Sequence, residues 1–208
     1  MEHAMAFSDF DLRGALQAFG LTEVRDIDLF ADVPHLEPSS FLTVWIDEFA
    51  PVAVGVNSEK ARSEFIIAPF LAEARRRSPR AINVLPGITL DVDRARGLNG
   101  VCDFVIARSA EYFFLRGPLV AVVEAKREDL VAGFGQCAAS MVAIREFNER
   151  DGTPVAEVFG IVTSGTVWRF LRLRESILAI DRKEYYLPDA AAILGVLVHL
   201  AVSEPSLT

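Results

Sequence analysis

The sequence has few of the residues that build common metal and disulfide sites. It contains 2 cysteines, Cys102 and Cys137, and 3 histidines among 208 residues. The cysteines have no C-x-x-C spacing and no histidine pair beside them, so a zinc site of the usual Cys/His kind would need ligands that converge from far apart. We therefore predict that both cysteines are buried, reduced thiols.

Long apolar runs are also missing. The longest one near the end of the chain, residues 190–202, is interrupted by Gly195 and His199. Such a run is too short to span a bilayer core of about 30 Å. No charged-then-apolar signal peptide opens the chain. The sequence therefore predicts a cytoplasmic protein with no membrane partner.

Positive charge is scarce as well. The chain carries 21 Lys and Arg residues against 29 Asp and Glu residues, a formal net charge of −8. This balance does not favour DNA binding, because contact with a polyanion would require a local basic patch or a metal ion. Walker A, GxGxxG and GxSxG sequences are absent, which disfavours nucleotide-loop proteins and serine hydrolases.

The composition is that of a globular protein with a substantial core. Hydrophobic residues make up 51% of the chain and charged residues 24%. The length of 208 residues favours a single globular unit. Within it we expect residues 1–57 to form an N-terminal extension packed on a core of residues 58–208. The extension would offer a surface for homo-oligomer formation.

Caps and breakers predict the elements of the extension. These are a helix over 8–19 capped by Ser8, a strand over 21–29, and a helix over 41–49. Gly20 is expected to end the first helix, and Pro51 is expected to stop the second.

The core region predicts a mixed α/β sandwich, a central mixed sheet flanked by helices. Its predicted elements are helices over 58–77, 130–147 and 189–202, strands over 82–92, 101–107, 112–115 and 119–125, a hairpin of 158–163 with 166–173, and an edge strand over 177–180. The run LVAVVEA at 119–125 is typical of a central strand that is buried on both faces. Pro69 should kink the first helix or deprive the Phe65 carbonyl of its backbone partner.

The end of this central strand carries two charged side chains. Glu124 and Lys126 are two positions apart, so both point to the same face of the strand. Two explanations offset the cost of placing charges beside an apolar strand. In one, the Glu–Lys pair reaches solvent where the strand ends. In the other, the carboxylate binds a divalent cation and the lysine stabilises an anionic group.

Two further carboxylates are candidates for the same site. Asp103 is a single charge among the apolar residues of 100–106, and Glu64 lies at the edge of the apolar face of the helix over 58–77. Each of them alone is most simply a solvated charge. If the strand of Asp103 pairs with the strand of Glu124, two carboxylates and a lysine converge, an arrangement that favours Mg²⁺ between the carboxylates.

This pattern resembles the PD-(D/E)XK nuclease-like superfamily. It is most similar to the N-terminal nuclease domain of type I restriction enzyme R subunits and to small stand-alone bacterial relatives. The acidic residue of the first helix corresponds to Glu64, and the aspartate that follows a glycine-containing turn corresponds to Asp103. The E-x-K sequence corresponds to Glu124 and Lys126 around Ala125, and Gln136 matches the glutamine of the next helix.

The resemblance covers residues 58–175 and implies a restriction-endonuclease-like core and a Mg²⁺-dependent nuclease of restriction or defence systems. Asp103 and Glu124 would hold Mg²⁺, or Mn²⁺, and Glu64 would complete or support that shell. Lys126 would orient the attacking water or offset charge, and Gln136 would be a positioning residue. The chain departs from the pattern at Cys102, which stands where the proline of the superfamily name would be.

Basic residues offer two candidate DNA contacts. The first is a cluster at the end of the helix over 58–77, formed by Arg75, Arg76, Arg77 and Arg80. Cations at this position also complement the helix dipole, which is the simpler explanation. The second is the group of arginines around Trp168 and Phe170, where the alternation favours core packing of the two aromatic rings.

Two functions remain open at the level of the sequence. The first is a Mg²⁺-dependent nuclease, favoured by the presence of Glu64, Asp103, Glu124 and Lys126 together. The second is a catalytically silent nuclease-fold module for binding or assembly, favoured by the acidic net charge and by residues 1–57.

Overall fold

The computed structural model of the chain describes residues 5–203, which fold around one mixed β-sheet. Its strands are β1 (Thr22–Ile27), β2 (Asn83–Asp93), β3 (Leu98–Ala107), β4 (Leu119–Ala125), β5 (Glu157–Thr163), β6 (Val167–Arg174), β7 (Ile177–Asp181) and β8 (Tyr185–Tyr186). The strand order is β1-β7-β6-β5-β4-β3-β2, and β8 pairs with β6. The β1–β7 and β4–β5 pairs are parallel, and the other pairs are antiparallel.

Helices cover both faces of the sheet. They are α1 (Leu12–Phe19), α2 (Ser40–Val56), α3 (Glu59–Arg62), α4 (Ala68–Arg77), α5 (Gly133–Arg150) and α6 (Ala190–Val202). Two apolar clusters fill the layers: α2, α4 and α6 pack on one face, while α1 and α5 pack on the other. The predicted fold class, mixed α/β with a central mixed sheet flanked by helices, is confirmed.

The centre of the molecule is β4, whose residues are all buried. Val122 contributes to one apolar cluster and Val123 to the other, as expected of a strand covered on both faces. The prediction for residues 119–125 is confirmed at both ends. α5 is the connection that the parallel β4–β5 pair requires.

The predicted helix over 58–77 is continuous but not uniform. α3 and α4 are joined by a π-helical turn, Ser63–Ile67, just before Pro69. Pro69 has no N–H for the Phe65 carbonyl, and the indole Nε1–H of Trp45 donates to that carbonyl instead, at 3.0 Å. The predicted loss of a backbone partner is therefore offset by a side chain from α2.

The prediction that Pro51 stops the second helix is wrong. α2 continues through Pro51 to Val56, and Asn57 ends it in the left-handed conformation with φ 51°. Pro51 and the residue whose carbonyl it leaves unpaired, Asp47, are both exposed, so water can satisfy that carbonyl. In the next turn Ala53 is fully buried, so the continued helix contributes to the core.

Three smaller predictions also need correction. α1 begins at Leu12 and is capped by Asp11, whose Oδ1 accepts the Gly14 N–H at 2.6 Å, rather than by Ser8; Gly20 ends it as predicted. Residues 112–115 form a loop, because β3 and β4 are each already paired on both sides. β7 is a strand as predicted, but it lies between β6 and β1 and is not at the edge.

The part of the N-terminal extension that the structure describes, residues 5–57, packs on the same core. β1 adds a parallel strand beside β7, and α1 packs against α5. The approach is close at Gly135 of α5, where a Cβ would lie only 2.2 Å from the carbonyl carbon of Asp11. A glycine at this position is therefore required for the contact between the extension and α5.

The predicted buried positions are confirmed. Cys102 and Cys137 are buried and unpaired, and Trp168 and Phe170 are fully buried in the core. α6, which contains the apolar run near the end of the chain, packs into one apolar cluster. Within residues 5–203, no helix combines the length and the apolar character needed to cross a membrane.

Candidate active site

The candidate site lies where β4 ends beside β3. Phe104 pairs with Val123, so Asp103 and Glu124 are the next residues along the two antiparallel strands. The Ala125 N–H donates to Asp103 Oδ2 at 2.7 Å. The structure thus brings Asp103 next to the E-x-K segment.

Glu124 is the most enclosed charged group of the site. Its side chain is fully buried, with 0% exposure. Gln136 Nε2 donates to Glu124 Oε2 at 2.6 Å, and Ser140 Oγ donates to Oε1 at 3.3 Å. Burial, assisted by the negative charge of Asp103, raises the pKa of Glu124 to about 8. This carboxyl group is therefore mostly protonated at neutral pH.

Gln136 connects the glutamate to the lysine. Lys126 Nζ donates to Gln136 Oε1 at 2.8 Å, while the amide nitrogen of the same side chain donates to Glu124. The amide therefore has a fixed orientation, with its oxygen towards the ammonium group and its nitrogen towards the carboxyl group. Gln136 contacts two of the predicted site residues and holds Lys126 in place.

A glycine at the start of α5 makes room for the lysine. A Cβ on Gly133 would lie 2.7 Å from Val162 Cγ1 and 3.1 Å from Lys126 Cε. These distances are shorter than ordinary van der Waals contacts, so any other residue would displace one of the two side chains. The position of Lys126 thus depends on Gly133 as well as on Gln136.

Asp103 is partly buried and lines an open cavity of about 640 Å³. Burial raises its pKa above the usual range, while the Ala125 N–H and the positive charge of Lys126 oppose the shift. Glu59 and Glu64 line the same cavity from the helical side. The cavity is therefore bordered by three carboxyl side chains.

The two helical glutamates are not equivalent. Glu64 is exposed and forms an ion pair with Lys60, with 2.8 Å between Nζ and Oε1. Glu59, in the first turn of α3, contributes a negative charge that raises the pKa of both Asp103 and Glu124. Glu59 could not be predicted from the sequence, because two glutamates five positions apart on one helix give no sign of which one faces Asp103.

A second cavity of about 620 Å³ continues the site past Lys126. Charged residues of both signs line it: Glu59, Lys126, Arg127, Glu128 and Asp129. Glu59 borders both cavities, and the two neighbouring cavities are called here the acidic cleft. An anionic ligand would enter it only with its charge offset.

The donor set can be compared with the needs of a divalent cation. Carboxylate oxygens, as on Asp103, Glu124 and Glu59, are the ligands that Mg²⁺ and Mn²⁺ prefer. However, no group of three or more His, Cys, Asp or Glu side chains within residues 5–203 is close enough to hold a metal ion. The residues fit such an ion in their chemistry, and binding requires that Glu124 lose its proton and that the carboxylates move together.

The arginine cluster lies at the opposite end of the helix from Glu59. Arg75, at the end of α4, is 16 residues from Glu59, or about 24 Å along a helix that rises 1.5 Å per residue. Arg76 and Arg77 form ion pairs with the buried Glu73. Arg80 follows in the turn after α4, where its N–H donates to Ser78 Oγ at 3.3 Å. The cluster therefore lies at the far end of the helix from Glu59, while Glu64 and Arg76 line a common cavity between them.

Comparison with known proteins adds no assignment to this geometry. No family model matches the chain, and a search of curated proteins finds no match. The site itself consists of a buried carboxyl group, an amide, an ammonium group and a second carboxyl group, which meet where β4 ends beside β3 and α5.

Proposed function

We propose that the chain is a metal-dependent nuclease that hydrolyses phosphodiester bonds of DNA. The observation that carries the proposal is the connected series Lys126–Gln136–Glu124 beside Asp103. A fully buried glutamate with a raised pKa destabilises the fold, and such groups are concentrated at functional sites. The resemblance to the PD-(D/E)XK pattern supplies the reaction class.

A divalent cation would be held by Asp103 and Glu124. The carbonyl of Ala125 and the carboxylate of Glu59 or Glu64 are the further oxygen donors at the cleft. When bound, such an ion polarises a phosphate group and lowers the pKa of a bound water molecule.

The remaining groups of the chain have separate roles. Lys126, held by Gln136, provides a fixed positive charge beside the cleft for a phosphate oxygen or for the orientation of a water molecule. Gln136 is a positioning residue, because it acts through Lys126 and Glu124. The negative charge of Asp103, with that of Glu59, attracts the cation that the phosphate needs.

Because the chain has a net charge of −8, this proposal requires a cation that offsets negative charge at the cleft. The acidic cleft repels a DNA phosphate as long as its carboxylates are not neutralised. DNA binding at the cleft is therefore expected to depend on Mg²⁺ or Mn²⁺, and a restriction or defence role would require this coupling.

A cleavage assay tests the proposal. We expect the wild-type chain to cut DNA with Mg²⁺ or Mn²⁺ and not with EDTA. The variants Asp103→Asn and Lys126→Ala should each reduce the rate at least about 100-fold, the usual range for a lost electrostatic contact at a reacting group. Glu128→Gln, at the rim of the cleft, is the matched control and should keep the activity. Equal rates in all four proteins would contradict the proposal.

A second candidate is a catalytically silent module for binding or assembly. It is favoured by the exposed apolar side chains of α2, where Phe41 is 67% exposed, Val44 63% and Val56 60%. Exposed apolar side chains of this size, such as the neighbouring Phe41 and Val44, are candidates for contact with a partner. A chain that binds no metal but sediments as a concentration-dependent dimer, and loses dimerisation in Phe41→Ser, would establish this second function.

A further inference from the structure

The loop between β3 and β4, residues 108–118, carries three consecutive exposed aromatic side chains. Tyr112 is 63% exposed, Phe113 96% and Phe114 59%. The loop precedes β4, so it lies at the opposite end of that strand from Glu124, about 20 Å away at roughly 3.3 Å per residue. Single exposed apolar residues are common, but a contiguous group of this size indicates a binding surface.

The backbone of this loop is anchored while its rings face solvent. Glu111 Oε1 accepts the N–H groups of Tyr112 at 2.9 Å and of Phe113 at 2.8 Å. Asn83 Nδ2 donates to the Glu111 carbonyl at 2.8 Å, and the Gly117 N–H donates to Asp151 Oδ2 at 2.8 Å. The exposed rings are therefore presented by a loop that is fixed on both sides.

Arginine side chains lie beside the rings, while the two carboxylates at the loop, Glu111 and Asp151, accept hydrogen bonds from its backbone. Arg75 Nη2 donates to the Tyr112 hydroxyl oxygen at 2.6 Å, so the arginine cluster at the end of α4 adjoins the loop. Arg116 adds a positive charge within the loop itself. Glu73, two residues before Arg75 on α4, is only 3% exposed and forms ion pairs with two arginines of the cluster. This part of an acidic protein thus has a basic, aromatic surface.

We propose that this aromatic–arginine surface, formed by Tyr112, Phe113, Phe114, Arg75 and Arg116, binds single-stranded nucleic acid. Unpaired bases stack on exposed aromatic rings, and guanidinium groups bind the phosphates between them. In a duplex the bases are already stacked on one another, so the rings would find no free base face. The inference does not depend on the hydrolysis proposed above, because a silent module could use the same surface.

The binding of a fluorescent thymidine oligonucleotide, followed by anisotropy, tests this inference. The measurement is made in EDTA, so that cleavage at the acidic cleft cannot interfere. We expect the single strand to bind more tightly than a duplex of the same length, and affinity to fall with salt. The double variant Phe113→Ala/Phe114→Ala should bind roughly tenfold or more weakly. Arg75→Gln should lower the salt slope by about 0.7, the value for one phosphate contact on a single strand.

The matched control variants remove similarly exposed side chains from other parts of the molecule. Phe41→Ala on α2 removes an exposed ring, and Arg25→Gln on β1 removes an arginine whose side chain is 66% exposed. Both should bind like the wild type, and circular dichroism should show that all variants remain folded. The conservative change Phe113→Tyr should keep the affinity, because it retains a ring for stacking.

Three results would overturn the inference: no binding of the single strand by the wild type, equal losses in the control variants, or binding only to phosphatidylglycerol vesicles. The last would assign the surface to an anionic membrane instead. If the wild-type chain does not bind the oligonucleotide but cleaves DNA with metal, this inference fails and the nuclease proposal stands. If the chain binds the oligonucleotide but does not cleave DNA with metal, only the nuclease proposal fails.

Discussion

Glu124 occupies an environment that disfavours its own charge. Its carboxyl group is fully buried, and Asp103 adds a second negative charge nearby. The hydrogen bonds from Gln136 and Ser140 hold the group but do not offset its burial. The protonation of Glu124 should therefore be visible in the pH dependence of the stability of the chain.

The pH dependence of stability follows from the raised pKa of Glu124. With a folded pKa of about 8, the native chain keeps a proton that the unfolded chain releases near its usual value. The free energy of unfolding therefore falls as pH rises from about 5 to 8. The stability that the retained proton provides is complete below the unfolded pKa and is lost above the folded pKa. Glu124→Gln should flatten the slope and stabilise the chain at pH 8 by on the order of a few kcal/mol.

Urea unfolding at several pH values in EDTA measures this effect. Glu128→Gln is the control, since Glu128 is an exposed acid whose Oε1 accepts a hydrogen bond from Asn57. It should follow the wild-type curve. A variant Glu124→Gln with the same pH slope as the wild type would show that the buried carboxyl group is not the source.

Gly133 leaves the space that the Lys126 side chain occupies. In Gly133→Ala the new Cβ would crowd Val162 and Lys126, so the lysine would move away from Gln136. We expect about 1–3 kcal/mol lower stability from overpacking and a reduced cleavage rate. Gly55→Ala is the control: its Cβ meets open space in α2, and it should stabilise the helix by about 0.5–1 kcal/mol. Unchanged cleavage by a folded Gly133→Ala chain would argue against a role for lysine placement.

At the scale of elements, the helix of α3 and α4 depends on a bond from α2. The Trp45 indole satisfies the Phe65 carbonyl that Pro69 leaves unpaired, and the π-helical turn precedes this point. The same helix carries Glu59 and Glu64 at the cleft and Arg75 at the aromatic loop. Its position therefore affects both proposed surfaces.

Trp45→Phe removes the indole N–H and keeps an aromatic ring in its place. The unpaired carbonyl should lower stability by about 1–2 kcal/mol in urea unfolding. In a Pro69→Ala background, the restored backbone N–H can bond Phe65 again, so the same substitution should have a smaller effect. Equal losses in the two backgrounds would contradict the role assigned to the indole.

An element could be predicted from the sequence when the residues that determine it are close together in the chain. The β4 run and the glycine that ends α1 are local signals, and both hold in the structure. The path of α2 through Pro51 depends on solvent exposure and on burial one turn later, which no short motif encodes. The loop at 112–115 depends on strand partners that only the complete sheet reveals.

The same distinction applies to the candidate site. The face shared by Glu124 and Lys126 follows from the period of a strand, and the approach of Asp103 follows from strand pairing. The contact of Gln136 with both side chains requires the exact placement of α5 over the sheet, which the resemblance indicated and periodicity could not. The role of Glu59 could not be predicted, because it depends on the orientation of α3 against the sheet.

At the scale of the whole molecule, two surfaces of different charge lie at opposite ends of the central strand. The acidic cleft at the end of β4 needs a cation to accept a phosphate, whereas the aromatic–arginine surface before β4 has its own positive charge. The net charge of −8 therefore describes the molecule only on average. Binding without metal and cleavage with metal should be separable by variants of the two surfaces.

Titration calorimetry with Mg²⁺ and Mn²⁺ tests the central claim, a metal site at the acidic cleft, most directly. It should be made at millimolar metal and at pH 7 and above pH 8, because Glu124 must lose its proton for binding. We predict that the wild type binds, more tightly at the higher pH, and that Asp103→Ala and Glu124→Ala abolish binding. A wild-type chain that is silent at both pH values would contradict the account and favour the binding or assembly module.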